Sequence, residues 1–209
     1  MKKILIIFCH PAFEKSVVHK SLLRKARAKS HVEIHDLYEK YPNFLIDVKH
    51  EQEKLLGADI IIFQHPIFWY SSPALLKEWL DLVLEPGFAF AKGGDSLKGK
   101  KLLSVVSTGA SCKAYGPEGM NRFTINQFLA PFDQTANLCG MEYLPPFVVF
   151  GSHNIRNILL ENKTCPELDA QAEEFSEILD IIVKEDFSAT SHPISNTINE
   201  ICTGHKIAR

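Results

Sequence analysis

The sequence predicts an α/β protein built on a doubly wound, mostly parallel β-sheet. Five short apolar runs alternate with longer amphipathic segments along the 209 residues, which is typical of strands joined by crossover helices. The first run, residues 4–8, is continuously apolar, as parallel strands covered on both faces usually are. Hydrophobic residues make up 45% of the chain and charged residues 23%, so general disorder is excluded.

The first two strands and the helix between them follow from hydrophobic spacing. Residues 4–8 form the first strand, and Ser16 is placed to cap a helix that runs to about residue 29. Residues 31–37 alternate apolar and polar side chains, which predicts a less buried second strand. Residues 38–44 contain proline and asparagine and are predicted to be a loop.

A short polar helix, a buried strand and an amphipathic helix come next. Residues 49–56 form the polar helix, and residues 58–64 form the third strand. Pro73 is placed at the start of the next helix, in which large apolar side chains recur at helical spacing to residue 84. Residues 85–100 contain four glycines and one proline and are predicted to be a long surface loop.

A fourth strand, a loop and a further helix follow. Residues 101–108 form the strand, and residues 109–120 form a loop that contains Gly and Pro. The helix is predicted to begin at about Arg122, with apolar side chains on one side and a kink at Pro131.

The last strand, residues 147–150, and the last helix, residues 166–184, complete the five-stranded pattern. We expect one domain over residues 1–185, because a domain usually holds about 150 residues. Residues 186–209 mix Ser, Thr, Asn and His and are predicted to be a tail without a core of its own.

Charge and cysteine content exclude several classes of protein. The 23 basic and 25 acidic side chains give a formal net charge of −2, so no basic excess is available to bind nucleic acid. The five cysteines are irregularly spaced, and His31 and His35 have no third ligand nearby in sequence, so neither a disulfide framework nor a metal site is predicted. No apolar stretch approaches the ~20 residues of a membrane span, and residues 1–9 are better interpreted as a strand than as a signal peptide. We therefore expect a cytoplasmic protein.

The loop after the first strand has features that suit an anion. Residues 10–16 lack both glycine-rich phosphate motifs, but the helix that follows offers free N–H groups and a positive dipole end. His10 and the Ser16 hydroxyl can add donors to the same phosphate. The alternative is a plain capped turn with a surface histidine.

The loops after the third and fourth strands are also unusual. Residues 67–70 are four large apolar or aromatic side chains, on which a planar ring ligand would stack. The alternative is a loop tucked under a neighbouring element or subunit. Residues 107–111 are small, and Gly109 is free in φ, so a ligand can approach the backbone, although a tight turn explains them equally well.

These three loops are expected to meet, because ligands of such sheets bind at the carboxyl ends of the strands. Together they predict an anion site, an aromatic wall and a floor of small residues. That combination is what flavin mononucleotide (FMN) requires.

Two stretches carry a family resemblance. Residues 63–84 (FQHPIFWYSSPALLKEWLDLVL) and 87–90 (GFAF) resemble the NAD(P)H dehydrogenase (quinone) family, which has a flavodoxin-like fold with strand order 2-1-3-4-5. The resemblance covers about residues 3–184. Residues 115–147 are most similar to the bacterial branch, which includes the modulator-of-drug-activity proteins and the ancillary subunits of glutathione-gated potassium efflux systems.

The resemblance implies a reaction and a set of site residues. The family moves a hydride from NAD(P)H to a flavin and passes two electrons to a quinone in a ping-pong scheme. We expect FMN, with FAD as the alternative, and a homodimer. Tyr115 is the expected catalytic residue and is also expected beside the flavin. The other expected flavin-binding residues are His10, Ser16, Val17, Val18, His19, Pro66, Ile67, Phe68, Trp69, Tyr70, Ser107, Thr108, Gly109 and Ala110. The expected substrate-binding residues are Phe88, Phe90 and Asn121.

Five positions depart from the family pattern, and one of them is Ser107, in a motif where the family usually has Thr. His19 stands where the family usually has Asn, and Ala110 stands where it has Gly. Asn121 takes the place of a His to which mammalian members assign a proton-relay role, so no acid–base function is expected there. Phe90 takes the place of a substrate-contacting Tyr.

Three functions remain open on the sequence. The first is a flavin-dependent NAD(P)H:quinone oxidoreductase. The second is a cytoplasmic regulatory subunit that docks on a potassium-efflux transporter, with or without redox activity. The third is a one-electron carrier of the flavodoxin type. It is disfavoured because the net charge of −2 and the segment HPAFEKS do not match the acidic surface and Ser/Thr-rich phosphate loop typical of flavodoxins.

Overall fold

Five parallel strands form one sheet at the centre of the protein, whose computed structural model describes residues 1–184. The strands are β1 (Ile4–Phe8), β2 (Val32–Asp36), β3 (Ile60–Pro66), β4 (Lys101–Ser107) and β5 (Glu142–Val149). Their order across the sheet is β2-β1-β3-β4-β5, which confirms the prediction. The strand order reverses between β1 and β3, where ligands of such sheets bind.

Seven helices of the described region cover both faces of the sheet. They are α1 (Val18–Ala26), α2 (Leu37–Lys40), α3 (Val48–Leu56), α4 (Ala74–Val83), α5 (Ile125–Leu138), α6 (Ser152–Leu160) and α7 (Pro166–Lys184). Buried side chains of α1, α6 and α7 form one apolar cluster with one face of the sheet. Those of α2, α3, α4 and α5 form a second cluster with the other face. The sheet is therefore doubly wound, as predicted.

The three central strands are buried along their whole length. Their side chains alternate between the two clusters, so that Ile62 lies in one and Phe63 in the other. In the register of the sheet, Gln64 of β3 pairs with Phe8 of β1 and with Val105 of β4. The carboxyl ends of β1, β3 and β4 therefore lie side by side, and the loops that follow them share one edge.

A carboxylate is buried between α3 and its neighbours. Glu51 is fully buried, and its Oε1 accepts a 2.6 Å hydrogen bond from the Tyr41 hydroxyl and lies 2.7 Å from Nε2 of His35. Its Oε2 accepts a 2.7 Å bond from the indole N–H of Trp79. Burial acts to raise the pKa of Glu51, but the three hydrogen bonds outweigh it and hold that pKa below its ordinary value. An ionised Glu51 therefore ties α3 to β2 and α4.

The predicted loop over residues 38–44 is wrong in its first half. Residues 37–40 form α2, because the carboxylate of Asp36 accepts bonds from the N–H groups of Tyr38 and Glu39. This side-chain cap satisfies N–H groups that a short helix leaves without partners.

The predicted start of α5 at about Arg122 is also wrong. Arg122 has a φ of 63°, outside the range of a right-handed helix. The helix begins two residues after Phe123, where Thr124 and Gln127 form a capping box. Pro131 lies inside the helix, which continues to its C-terminal end.

Strand β5 is longer than the predicted residues 147–150. It includes Pro145 and Pro146, which lack the N–H group that a strand donates to its neighbour. An edge strand tolerates them, and β5 is an edge strand. The register of β4 against β5 shifts between Leu103 and Val105.

Helix α6 has no counterpart among the predicted elements. It starts after Gly151, whose φ of 73° is left-handed and suits glycine. Its buried Ile155 and half-buried Ile158 and Leu159 follow helical spacing and pack on the sheet. This spacing is a signal that would have revealed the helix.

The predicted tail, residues 186–209, lies outside the described residues, so the domain boundary at residue 185 stays a prediction. Within residues 1–184, no helix is both long and apolar enough to cross a membrane.

Candidate functional site

Three parts of the chain line a cavity of about 190 Å³ at the carboxyl edge of the sheet. The loop before α1 forms one wall, the ends of β3 and β4 form the floor, and α6 forms the opposite wall. The lining residues are His10, Ala12, Lys15, Ser16, Val17, Val18, Pro66, Phe68, Ser107, Ser152, His153 and Arg156. Since no acidic side chain is among them and most polar ones are hydrogen-bond donors, we call this cavity the anion pocket.

His10 lines the anion pocket and is buried, with only 7% of its surface exposed. The alternative of a surface histidine is therefore wrong. Its Nδ1 accepts a 3.1 Å bond from the N–H of Ala12, which leaves the ring proton on Nε2. Burial lowers the pKa of His10, although Glu14 opposes this effect. His10 is therefore a neutral hydrogen-bond donor at neutral pH.

The start of α1 supplies further donors. The Ser16 Oγ accepts a 3.2 Å bond from the N–H of His19, so Ser16 caps the helix as the sequence predicts. The N–H groups at the start of the helix, near Val17 and Val18, have no acceptors within it, and the helix dipole favours a negative charge there. Lys15 adds an exposed ammonium group to the same wall.

His19 points into the protein and does not line the anion pocket. It is fully buried, with Nε2 3.0 Å from Oγ of Ser107 and Nδ1 3.3 Å from Nε2 of Gln64. The helix places it on the buried face of α1 with Leu22 and Leu23. The side chain of His19 is therefore not placed to contact a phosphate in the anion pocket, and its assignment as a flavin-binding residue stays a prediction.

The missed helix α6 brings His153 and Arg156 to the outer wall of the anion pocket, where both are exposed. Gly109 makes room for this helix, because a Cβ at that position would lie 2.7 Å from Cε1 of His153. The φ of Gly109 is not left-handed, so the conformational freedom of this glycine is not used here. The absence of a side chain at Gly109 is what the structure requires, because the ring of His153 occupies that space.

The aromatic loop after β3 ends in a tight two-residue turn beside the anion pocket. The backbone groups of Phe68 and Ser71 bond each other at 3.0 and 3.1 Å. Between them, Trp69 and Tyr70 have φ values of 47° and 66°, which bulky side chains rarely adopt. Trp69 is 93% exposed, so within residues 1–184 the loop is not tucked under another element. This backbone conformation costs about 1–3 kcal/mol per residue, and it leaves the Trp69 indole ring in solvent.

Five rings form an aromatic cluster next to this turn. They are Tyr70, Tyr115, Phe123, Phe128 and Phe150. Phe128 of α5 is central, with ring centroids 5.3 Å from Tyr70 and 6.0 Å from Tyr115. Helix α5 therefore supports both the strained turn and the loop that carries Tyr115.

Tyr115 is half-buried and shares a hydrogen bond with the side chain of Thr108. Burial raises its pKa above the ordinary value, so the phenol keeps its proton at neutral pH. Asn121 comes close to it in the fold, because the N–H of Asn121 donates a 2.8 Å bond to the C=O of Ala114. The structure thus brings together the expected catalytic residue and one expected substrate-binding residue.

The remaining predicted residues after β4 are fixed by the neighbouring backbone. The Thr108 hydroxyl donates a 2.9 Å bond to the C=O of Ala110, and the N–H of Gly151 donates a 2.8 Å bond to the same oxygen. The N–H of Ile67 donates a 2.8 Å bond to the C=O of Ser107. These bonds hold the loops after β3, β4 and β5 against one another.

Phe88 and Phe90 lie outside the anion pocket. Both are half-buried and pack on the apolar cluster beneath α4. Phe90 lines a separate groove of about 360 Å³ between α4 and α5, together with Phe128 and the exposed Leu138. Since Phe128 also belongs to the aromatic cluster, the groove and the cluster adjoin.

Comparison with known proteins agrees with this geometry. The family described by a flavodoxin-like fold matches residues 2–174. The chain belongs to this family. Its relatives include the glutathione-regulated potassium-efflux system ancillary protein KefG of Serratia proteamaculans (strain 568), which is 46% identical over 160 residues, covering 77% of this chain and 87% of that protein.

Solved structures of other flavodoxin-like proteins superimpose closely. General stress protein 14 of Treponema denticola, in complex with FMN, has a TM-score of 0.77 at 36% identity, covering 85% of this chain and 98% of that one. An NADPH-quinone reductase of P. pentosaceus has a TM-score of 0.73 at 31% identity, covering 84% and 96%. These matches place the chain in the quinone reductase branch of the flavodoxin-like family, the branch that includes KefG.

Likeness in fold does not by itself fix a reaction. A chain described as a thermophilic tryptophan halogenase from Streptomycin violaceusniger also has a TM-score of 0.77, at 37% identity and covering 88% of this flavodoxin-like chain and 99% of its own. The function of this family member must therefore be argued from its anion pocket, its strained turn and its aromatic cluster.

Proposed function

We propose that the protein binds FMN and transfers a hydride from NAD(P)H through the flavin to a quinone or a related acceptor. The observation that carries this proposal is the position of the anion pocket directly beside an exposed, strained aromatic turn, since Phe68 belongs to both. A flavin has a phosphate at one end and a flat apolar ring at the other. The two features match these two ends and lie at the sheet edge where ligands of this fold bind.

The donor set of the anion pocket fits a phosphate monoester. His10, Ser16, Ser107 and the start of α1 offer neutral donors, and Lys15 and Arg156 offer charged ones. The pocket volume of about 190 Å³ suits one phosphate group with part of a ribityl chain. FMN, which ends in a single phosphate, is therefore preferred over FAD.

The ring site is formed by the aromatic turn on one side and by the Tyr115 loop on the other. We assign Ile67, Phe68, Trp69 and Tyr70 to the flavin ring, because the last three expose large apolar surface and two of them lie in a strained turn. Stacking on an aromatic side chain would remove that surface from water.

Bound FMN supplies the atom that accepts the hydride and stores two electrons. The residues of the chain orient the reactants, and we assign to Tyr115 the role of a protonated hydrogen-bond donor. Its pKa is raised by burial, so its hydroxyl donates a hydrogen bond to an oxygen of the acceptor. Asn121 has no acid–base function near neutral pH and acts as a polar contact. Phe88 and Phe90 supply apolar surface for the acceptor.

We assign the α4–α5 groove to a homodimer contact, because Phe128 and the exposed Leu138 give it an apolar lining. The cysteines that the structure describes, Cys9, Cys112, Cys139 and Cys165, are unpaired. This supports a reducing compartment, and hence the cytoplasm, as the location of the protein.

A second function is favoured by the 46% identity to KefG, an ancillary protein of a potassium-efflux system. In this alternative the protein docks on the cytoplasmic domain of a transporter and need not catalyse electron transfer. Co-purification with that domain, in the absence of nicotinamide and quinone, is the expected result.

The test of the proposed oxidoreductase is a spectrum of the purified protein reconstituted with FMN. We expect NADH or NADPH to bleach the flavin absorbance under anaerobic conditions and menadione to restore it. Flavin-loaded protein that neither nicotinamide reduces would contradict the proposal. The mass of the flavin released from protein purified without added cofactor distinguishes FMN from FAD.

A further inference from the structure

A buried chain of hydrogen-bonding side chains runs directly beneath the anion pocket. It joins Gln64 of β3, His19 of α1 and Ser107 of β4, with distances of 3.3 and 3.0 Å between successive polar atoms. Gln64 and His19 are fully buried, and Ser107 is buried except where it lines the pocket.

The Gln64 amide, whose nitrogen faces the His19 ring, determines which ring nitrogen carries the proton. The amide N–H of Gln64 donates to Nδ1 of His19, so the neutral ring carries its own proton on Nε2 and donates it to Oγ of Ser107. Burial, together with the neighbouring His10 and His65, holds the pKa of His19 well below its ordinary value. The ring therefore stays neutral and has one proton to donate.

His19 serves the second hydroxyl of the anion pocket as well. Its backbone N–H donates a 3.2 Å bond to Oγ of Ser16, while its side chain donates to Oγ of Ser107. Each hydroxyl oxygen thus receives one hydrogen bond from His19. Each hydroxyl proton is then left for another acceptor, because neither is needed to satisfy His19.

We infer that His19 is a positioning residue that turns the Ser107 hydroxyl into a hydrogen-bond donor toward the phosphate end of the flavin. The inference rests on the proposed function, in which the anion pocket holds that phosphate. With the ring proton on Nδ1, Nε2 would accept from Ser107 instead, and Ser107 would offer the phosphate only lone pairs. The Gln64 amide selects the productive arrangement.

The first test compares flavin binding by apoprotein variants, measured from the quenching of flavin fluorescence. His19→Leu removes the donor, and we expect the Kd for FMN to rise about tenfold, the effect of one lost hydrogen bond to a charged group. Riboflavin, which lacks the phosphate, should bind both proteins equally well. His19→Gln, which keeps an N–H donor, should restore much of the FMN affinity.

A double-mutant cycle separates positioning from a general effect on structure. If His19 acts through Ser107, His19→Leu should cost little further FMN affinity in a Ser107→Ala background. Ser104→Ala is the matched control, because Ser104 lies on the same strand and is bonded to Tyr143 at 2.8 Å. Its effect and that of His19→Leu should add.

The second test needs no variant to fold. Two-bond ¹⁵N–¹H correlation spectra of the ¹⁵N-histidine-labelled protein report which ring nitrogen of His19 carries the proton, and the Nε2–H form is expected. The Nδ1–H form, additive losses with Ser107→Ala, or equal losses for FMN and riboflavin would each overturn the inference and leave the proposed function standing. Failure of the wild-type protein to bind either flavin would overturn both.

Discussion

Nε2 of His35 lies 2.7 Å from Oε1 of Glu51, and both side chains are buried in the apolar cluster between α3 and the sheet. This contact lies apart from the proposed flavin site and concerns stability. Because Glu51 also accepts bonds from Tyr41 and Trp79, the loss of its charge would leave several buried donors with a poorer acceptor.

Glu51→Gln should lower the free energy of unfolding by about 2–3 kcal/mol, the cost of incomplete pairing of buried polar groups. Its pKa is lowered in the folded state, so the stability it contributes is full above its unfolded pKa and is lost as pH falls through its folded pKa. The variant should therefore lose less stability on acidification than the wild type. Urea unfolding at several pH values measures both effects. Glu33→Gln is the control: Glu33 is in an exposed ion pair with Lys54, and its replacement should lower the free energy of unfolding by less than about 1 kcal/mol. Equal acid sensitivity of wild type and Glu51→Gln would contradict the assignment.

Gly109→Ala should destabilise the protein by about 0.5–1.5 kcal/mol, because the new Cβ would overlap the exposed His153 ring and force it out of its present rotamer. Combining it with His153→Ala should recover most of the loss, since the ring is then gone. Thermal unfolding measures this, and Gly57→Ala, whose Cβ would meet nothing closer than 3.6 Å, is the control. Additive losses in the double variant would show that His153 is not the obstacle.

Replacing Trp69 by Asn together with Tyr70 by Gly should raise the free energy of unfolding by about 1–3 kcal/mol. Asn-Gly suits a two-residue turn in which both φ values are positive, and the relief of strain at two residues outweighs the lost stack of Tyr70 on Phe128. The same change should weaken FMN and riboflavin alike, since it removes the ring site. Ala91→Gly is the control, because Ala91 also has a positive φ of 64° and lies outside the anion pocket. A stabilised double variant with unchanged flavin affinity would contradict the assignment of this turn to the flavin ring.

Arg156→Gln should raise the Kd for FMN about tenfold at low salt and leave riboflavin binding unchanged, because a charged donor to the phosphate is lost. The difference should shrink as salt is added, since Arg156 is exposed. Fluorescence titrations check both points. Arg24→Gln, on the exposed surface of α1 near Asp169, should have no effect, and a loss as large as that of Arg156→Gln would point to general electrostatics.

Tyr115→Phe should slow reoxidation of the reduced flavin by menadione about fivefold, the effect of one lost hydrogen bond, while reduction by NADPH keeps its rate. The raised pKa of Tyr115 means that its hydroxyl does not ionise below its ordinary value, so it contributes no pH dependence between about pH 6 and 9. Stopped-flow measurement of the two half-reactions separates them. Tyr143→Phe, far from the turn and bonded to Ser104, is the control; a slower NADPH step in Tyr115→Phe would contradict the role.

The convergence of the three loops was predictable, because parallel strands end at one edge whatever their detailed register. The sequence placed His10 and Ser107 in different loops, and the structure brings both to the anion pocket. Gly109 was predicted to let a ligand approach the backbone, whereas in the structure its missing side chain leaves room for the His153 ring. Its neighbour belongs to α6, which no local pattern near residue 109 can reveal.

The inward direction of His19 was available from the sequence and was missed. It stands three, four and seven residues before Leu22, Leu23 and Ala26, so all four share the buried face of α1. Arg156 was missed for another reason. It is exposed on a helix after β5, and its place at the anion pocket depends on how that helix packs, which spacing alone does not give.

The chain has two tryptophans, and the fold puts them at opposite extremes of exposure. Trp79 is enclosed by Glu51 and Phe63, whereas Trp69 is 93% exposed on the strained turn. Intrinsic fluorescence of the protein is therefore the sum of two spectrally separable emitters, a blue-shifted one sensing global unfolding and a red-shifted one reachable by aqueous quenchers. Site occupancy and folding can be followed at the same time in one cuvette, without any label.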